Sequence, residues 1–144
     1  PDWGAGADLV AHIAKRDIAP RVHVIGPKYD VEKMELLVGA EALCLPSRQE
    51  GSSLAVLESL ACGTPTIISH PCQFDEVEVN GAGFVGPASR DGFREALRRF
   101  LRDRSHWPVL RAAARDLIAR DYTWPAVAAR QVEAYKTGMK TPFT

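Results

Sequence analysis

Short apolar runs alternate along the first part of the chain with segments whose apolar residues recur at helical spacing. The runs predict four strands: Val22–Ile25, Ala42–Leu45, the stretch "PTIIS" that starts at Pro65 and the stretch "GFVG" that starts at Gly83. All four lack the alternation of a half-exposed strand, which is typical of parallel strands covered on both faces. Strands that alternate with helices indicate an α/β protein built on a parallel sheet.

The helical segments are marked by apolar spacing, by capping residues at their starts and by glycine at their ends. From Ser89 onward the chain is almost wholly helical. Residues 139–144 resemble a frayed tail, so the predicted domain covers residues 1–138. The predicted helices lie in "GADLVAHIAKRDI", in "DVEKMELLVGA" with Asp30 as its cap, at Ser52–Cys62, in "DEVEVNGAG", in "SRDGFREALRRFLRD" with a capping serine, at 107–120 and at 124–137.

Composition and charge exclude some classes of protein. Of the 144 residues, 46% are hydrophobic and 25% are charged, which suffices for one domain with a buried core. Lysine plus arginine and aspartate plus glutamate number 18 each, which argues against binding to nucleic acid by bulk charge. The arginines of "FREALRRFLR", among them Arg94, are interpreted as a solvated helix face.

The three cysteines, Cys44, Cys62 and Cys72, have no paired spacing. A zinc site or a disulfide framework is therefore not expected. Buried, reduced thiols are typical of a cytoplasmic protein, which is the predicted location.

The stretch "LPSRQEGSSLAVLESLACGTPTIIS", Leu45 to Ser69, carries the candidate chemistry. It combines a strand end, a polar turn, a helix and a second strand, and ligands of parallel sheets bind beyond the carboxyl ends of the strands. The start of the helix presents unpaired N–H groups and the positive end of a dipole. Gly51 allows a close approach, and Ser52 and Ser53 add hydroxyl donors. Together these features predict a phosphate pocket.

Glu50 and Glu58 flank this pocket and allow two interpretations. In the first interpretation, both are ordinary surface carboxylates. Glu50 is then a favourable charge at a helix start, and Glu58 is a solvated side chain. Alternatively, both clamp hydroxyl groups of a ligand that also carries phosphate. Glu58 lies among leucines on a helix with few charges, which predicts burial, and a buried carboxylate needs a partner. A nucleotide sugar satisfies both glutamates and the phosphate pocket.

The segment "PSRQEGSSLAVLESLACGTPTI" closely resembles the donor-site signature of retaining GT-B glycosyltransferases of the glycogen synthase and mannosyltransferase superfamily. "VGAEALCLPS", "GAGFVGPASRDGFREALRRFL" and "YTWPAVAARQVEAY" resemble further parts of the same domain, so the similarity covers nearly the whole chain. The chain departs from the signature at Ser52, Ser53 and Ser59. It matches at Pro46, Ser47, Glu50, Gly51, Leu54, Leu57, Glu58, Ala61, Gly63, Pro65 and Ile67.

The resemblance implies a fold and roles for individual residues. The fold is a Rossmann-like parallel sheet of about four strands flanked by helices, the C-terminal half of a GT-B fold, truncated at its N-terminus. The implied reaction transfers a hexose from a nucleotide diphosphate sugar to an acceptor hydroxyl, without a metal or other cofactor. Glu50 is the implied catalytic residue and contacts the donor sugar, while Glu58 holds the ribose. The donor site further comprises Gly26, Ser47, Gly51, Ser52, Ser53 and Leu54.

The same resemblance shows what the chain lacks. Nothing matches the acceptor-binding domain of the family, nor the Arg and Lys that neutralise the diphosphate. The fragment itself is therefore expected to be inactive, and peripheral membrane association is an expectation for the full-length enzyme only. The alternative is a non-catalytic module that binds nucleotide sugars and is completed by a partner chain.

The absent strands also imply an open sheet edge. We expect Val22–Ile25 to pair directly with Ala42–Leu45, or two chains to join there as a homodimer.

Overall fold

The computed structural model describes residues 5–102 and 104–138, and the predicted tail at 139–144 lies outside these residues. Helices and strands alternate as predicted from Asp30 to Arg102, and helices follow. None of the helices in the described ranges has the length and apolarity needed to cross a membrane. In chain order the elements are α1 (Ala5–Lys15), α2 (Asp30–Gly39), β1 (Leu43–Leu45), α3 (Leu54–Ala61), β2 (Thr66–Ser69), α4 (Glu76–Val79), β3 (Gly83–Gly86), α5 (Arg90–Arg102), α6 (Trp107–Asp121) and α7 (Trp124–Gly138).

The chain divides into two compact units, Pro1–Glu32 and Lys33–Thr144. The first unit contains α1, and its residues 22–29 belong to no helix or strand. The predicted strand Val22–Ile25 is therefore wrong, and so is its predicted pairing with Ala42–Leu45. Val24 and Ile25 are 60% and 54% exposed. Apolar composition gives a segment strand propensity, but a strand persists only where neighbouring strands complete its hydrogen bonds. Pairing between two chains stays a prediction.

The second unit is built on a three-stranded parallel sheet in the order β1-β2-β3. The other three predicted strands are thus confirmed. Leu43 pairs with Thr66, and Thr66 pairs with Gly83 on its other side. Within the described residues, β1 has a strand neighbour on one side only, so no strand of these residues covers the edge at which Val22–Ile25 is predicted to pair. The carboxyl ends of all three strands lie at the same edge of the sheet, where ligands of parallel sheets bind.

Both faces of the sheet are covered at its central strand β2, as the apolar strands predict. Cys44 of β1 is exposed, so the burial expected of this cysteine is wrong. Ile67 and Ile68 are fully buried and point to opposite faces, because successive residues of a strand alternate. Ile68 packs in a core with Val56 and Leu60 of α3, whereas Ile67 packs with Phe100 of α5. The sheet is therefore a rigid platform between α3 and α5, and both helices begin at its carboxyl edge.

The side chain of Tyr122, which follows α6, donates a hydrogen bond to Glu76 Oε1 of α4. Burial, reinforced by this hydrogen bond, raises the pKa of Tyr122 from its ordinary value of 10.0 to about 12. A raised pKa in the folded state stabilises the fold fully below pH 10, and this contribution is lost as the pH rises through about 12. We therefore expect the free energy of unfolding to fall less steeply between these pH values in Tyr122→Phe than in the wild type. Equal slopes in denaturant titrations of the two proteins would contradict this.

Candidate functional site

The loop between β1 and α3 is held at the sheet edge by two serines. Ser69, the last residue of β2, is fully buried, and its Oγ donates a 2.5 Å hydrogen bond to the carbonyl oxygen of Ser47. Ser47 Oγ in turn donates a 2.6 Å hydrogen bond to Glu50 Oε1. The chain of contacts fixes the Glu50 carboxylate at the carboxyl end of β1. Its second oxygen accepts no hydrogen bond from the part of the chain that the structure describes.

The helix α3 begins at Leu54, two residues later than predicted. Ser53 is its N-cap, with an extended backbone (φ −86°, ψ 96°) and no hydrogen bond from its side chain to the helix. Among the described groups, none accepts the N–H groups of residues 51–54. These donors and the positive end of the helix dipole are therefore available to an anion.

Gly51 lies directly before these donors. A Cβ atom added to Gly51 would meet no atom within 4 Å, and the backbone of this residue does not have a positive φ. Neither crowding nor backbone conformation therefore requires a glycine here. The missing side chain instead leaves the approach to the α3 amides open.

Glu58 lies one helical turn beyond Leu54, and its surroundings differ from those predicted. Its side chain is 35% exposed rather than buried, and its Oε1 lies 2.6 Å from Nζ of Lys33 on α2. The partner that a carboxylate in this position needs is thus a lysine of the same chain. Oε2 of Glu58 has no hydrogen-bond donor among the described residues and remains free to accept one.

The C-terminal part of α2 is anchored so that Lys33 reaches α3. Thr64, three residues after the end of α3, donates from Oγ1 to the carbonyl oxygen of Leu37 at 2.5 Å. The guanidinium of Arg111 on α6 donates to the carbonyl oxygens of Val38 at 3.0 Å and Ala40 at 2.9 Å. The carbonyls of Leu37 and Val38 belong to the last turn of the helix, where carbonyls lack partners within it, and Ala40 follows the helix directly.

The predicted site residues are therefore only partly brought together. Ser47, Glu50 and residues 51–54 lie together at the start of α3, with Glu58 one turn beyond Leu54. Ser53, a predicted hydroxyl donor, is buried. Leu54 contributes its backbone N–H group to the site, and its apolar side chain is 68% exposed. Gly26 lies in the first unit with φ 68°, and its predicted contact with the donor stays a prediction.

Lys33 and Ser69 complete the site, and the sequence pattern did not indicate either of them. Lys33 lies 25 residues before Glu58, and only the packing of α2 brings the two together. Ser69 reads as the ordinary end of a strand. No group of three or more metal-binding side chains is assembled within residues 5–102 and 104–138.

Comparisons with known proteins agree on one family. The family model of glycosyl transferases group 1 matches residues 4–117. The chain is 31% identical over 146 aligned residues to glycogen synthase from Mycobacterium tuberculosis, covering 98% of this chain and 34% of that protein. It is 33% identical over 136 residues to MMP alpha-(1->4)-mannosyltransferase from Mycolicibacterium hassiacum, covering 92% and 32% of the two chains. The chain thus spans about a third of the length of these relatives.

A solved structure shares the fold. Sucrose-phosphate synthase from Thermosynechococcus elongatus superimposes with a TM-score of 0.71 at 24% identity, over 91% of this chain and 33% of that one. This similarity confirms the predicted Rossmann-like half of a GT-B fold.

Proposed function

Because the chain belongs to the family of group 1 glycosyl transferases, we propose that it is the donor-binding domain of a retaining enzyme that transfers a hexose from a nucleotide diphosphate sugar to an acceptor hydroxyl. One observation carries this proposal: two carboxylates, each with an oxygen free to accept a hydrogen bond, flank a row of backbone N–H donors at the start of α3. Hydroxyl groups suit the carboxylates, and a diphosphate suits the donors.

The diphosphate binds at the start of α3. Backbone N–H groups of residues 51–54 point to no other acceptor among the described groups, and the helix dipole favours negative charge at this end. Ser52 is exposed beside them and adds a hydroxyl donor, and Gly51 leaves the approach open. The leaving phosphate is stabilised by the same dipole as the sugar departs.

The two glutamates bind opposite ends of the donor. Glu50, held by Ser47, accepts hydrogen bonds from hydroxyl groups of the sugar through its free oxygen. Glu58 accepts from the ribose through Oε2, while Lys33 holds the other oxygen and so orients the carboxylate. Since a carboxylate bonds hydroxyl groups through charge-assisted hydrogen bonds, each contact is worth about 1.5–3 kcal/mol.

The transfer step needs no covalent nucleophile in this proposal. The acceptor hydroxyl attacks the anomeric carbon on the face from which the phosphate leaves. The carbon–oxygen bond to the phosphate breaks, the bond to the acceptor oxygen forms, and the proton of the acceptor passes to the departing phosphate. Glu50 orients the sugar for this step and is the catalytic residue that we propose. The reaction is cytoplasmic and uses no metal.

The acceptor is bound by another domain. Since the chain spans about a third of its relatives, we propose that an acceptor-binding domain faces the start of α3 in the whole enzyme. The 144-residue chain on its own is then expected to transfer no sugar from any nucleotide sugar to any acceptor. Incubation of the purified chain with labelled UDP-, GDP- and ADP-glucose and GDP-mannose tests this, and a labelled product formed without an added partner would contradict it.

Gly51→Ala separates a binding role from a structural one. The added Cβ has room in the protein itself, so the melting temperature should not change. Because the Cβ would stand in the approach to the α3 amides, affinity for nucleoside diphosphates should fall about tenfold, or about 1.4 kcal/mol. Calorimetric titrations with UDP, GDP and ADP measure this.

Gly39→Ala is the matched control, since its Cβ also has no atom within 4 Å and Gly39 ends α2. It should change neither stability nor binding. If Gly51→Ala binds every nucleotide as the wild type does, or if the wild type binds none, the proposed diphosphate site is wrong.

A further inference from the structure

A second concave surface lies at the carboxyl edge of the sheet, with a volume of about 460 Å³. We call it the arginine pocket, defined by Arg48, Arg90 and Arg94 together with Phe93, Leu97 and Ser69. Its residues come from the loop after β1, from the end of β2 and from the first turns of α5. None of Glu50, Glu58 and residues 51–54 lines it. The proposed donor function therefore leaves this pocket unexplained.

The charged side chains that line the arginine pocket are all positive. Three guanidinium groups line it, and no carboxylate does. Arg94 is paired with Asp91 at 2.9 Å, but the side chains of Arg48 and Arg90 make no ion pair or hydrogen bond with any other residue in the described ranges. Both are exposed. Arginine presents a planar fork of donors that matches a phosphate, so two unpaired arginines in one concavity favour an anionic ligand.

The start of α5 adds to this preference. Ser89 Oγ accepts the N–H of Gly92 at 3.1 Å and caps the helix, as the sequence predicts, and α5 continues for 13 residues. A Cβ on Gly92 would lie 2.8 Å from the ring of Pro87, so only glycine allows α5 to begin this close to the end of β3. The positive end of its dipole is thereby placed at the pocket.

The floor of the pocket is apolar and aromatic. Phe93 and Leu97 lie one turn apart on the same face of α5 and line the pocket beside the arginines. An inorganic anion would leave this surface uncovered, whereas an organic phosphate covers it with its carbon skeleton. The lining thus combines recognition of a phosphate with recognition of a compact ring or chain.

We propose that the arginine pocket binds a phosphate monoester of a small organic molecule, separate from the nucleotide donor. The phosphate lies between Arg48 and Arg90, and the organic part lies against Phe93 and Leu97. Ser69, which lines the pocket, also holds the carbonyl of Ser47. A ligand here therefore contacts the loop that carries Glu50.

Titration of the 15N-labelled 144-residue chain with phenyl phosphate tests the proposal by NMR. We expect saturable shifts of the amides of Arg48 and of residues 89–94, and affinity at least tenfold lower in Arg48→Ala and in Arg90→Ala. Arg102→Ala is the control, because Arg102 lies on α5 outside the pocket and should leave affinity unchanged. Benzyl alcohol, which has the ring without the phosphate, should not produce these shifts.

The same titration in the presence of saturating UDP, GDP or ADP separates this pocket from the donor site. Phenyl phosphate that still binds supports a separate site. Competition by the nucleotide would overturn the proposal, as would shifts that do not saturate or an equal loss of affinity in Arg102→Ala. A chain that binds phenyl phosphate but none of the nucleotides keeps the arginine pocket and refutes only the donor site.

Discussion

Glu58→Gln is expected to weaken the binding of nucleoside diphosphates and of their sugar esters alike, by tenfold or more. The substitution keeps the shape of the side chain and removes its charge, so that a charge-assisted hydrogen bond to the ribose becomes a neutral one. Such a bond is worth about 1.5–3 kcal/mol, and tenfold in affinity corresponds to about 1.4 kcal/mol. Calorimetric titration of the 144-residue chain with UDP and UDP-glucose, and with the GDP and ADP pairs, measures the effect.

Two further variants, Lys33→Ala and Glu50→Gln, show whether Glu58 acts on the ligand or only on Lys33. The Lys33–Glu58 pair is about one-third exposed, so its loss should cost below about 1 kcal/mol of stability in either Lys33→Ala or Glu58→Gln. Glu50→Gln should weaken binding of the sugar ester and spare the free nucleotide, because Glu50 contacts only the sugar. If Glu50→Gln and Glu58→Gln weaken the free nucleotide equally, or if neither does, the roles proposed for the two glutamates are wrong.

Gly83→Ala is expected to produce the largest loss of stability. Gly83 opens β3 opposite Thr66, and a Cβ there would lie 2.0 Å from the carbonyl oxygen of Thr66 and 2.9 Å from its nitrogen. The obstructing atoms are backbone of the central strand, which is fully buried at Thr66 and cannot move aside. We expect a loss of at least about 3 kcal/mol, the upper end of the usual cost of overpacking.

Thermal unfolding followed by circular dichroism measures this, with a fall in melting temperature of roughly 10 °C or more. Gly39→Ala again provides the comparison, since a Cβ at Gly39 meets nothing within 4 Å and should change stability by no more than about 0.5 kcal/mol. A Gly83→Ala protein as stable as Gly39→Ala would show that β2 and β3 do not pair in the register described.

Hydrophobic periodicity predicted most of the fold because, in most elements, burial and hydrogen bonding favour the same helix or strand. The strands at Leu43, Thr66 and Gly83 and the helices around them follow the pattern directly. Val22–Ile25 has the same apolar character and forms no strand. Composition indicates the strand propensity of a segment, whereas a strand also requires neighbouring strands, which no local pattern describes.

The candidate site was predictable where it follows the chain locally and not where it depends on packing. Glu50 and the amides at the start of α3 lie within a few residues of each other, so their proximity follows from sequence. The partner of Glu58 could not be predicted in this way, because Lys33 reaches Glu58 only through the anchoring of α2. Arg94 was interpreted as part of a solvated helix face, yet it lines a pocket whose other side is the loop after β1.

The start of α3 at Leu54 instead of Ser52 has a physical consequence. Ser53 takes an extended conformation and makes no side-chain cap, so the first N–H groups stay unoccupied. A serine at this position is expected to cap the helix through its side chain, since serine is a favoured N-cap residue. Leaving these donors free costs stability in the empty protein and is consistent with a site that an anion completes.

The most direct test of the donor-binding site is an NMR titration of the 15N-labelled chain with UDP, GDP and ADP, each followed by its glucose ester. We expect weak but saturable binding of at least one nucleotide, with the largest amide shifts at residues 51–54 and at Glu58. The glucose ester of that nucleotide should add shifts at Ser47 and Glu50. Amides of residues 51–54 that remain unshifted by all three nucleotides and their esters would contradict it.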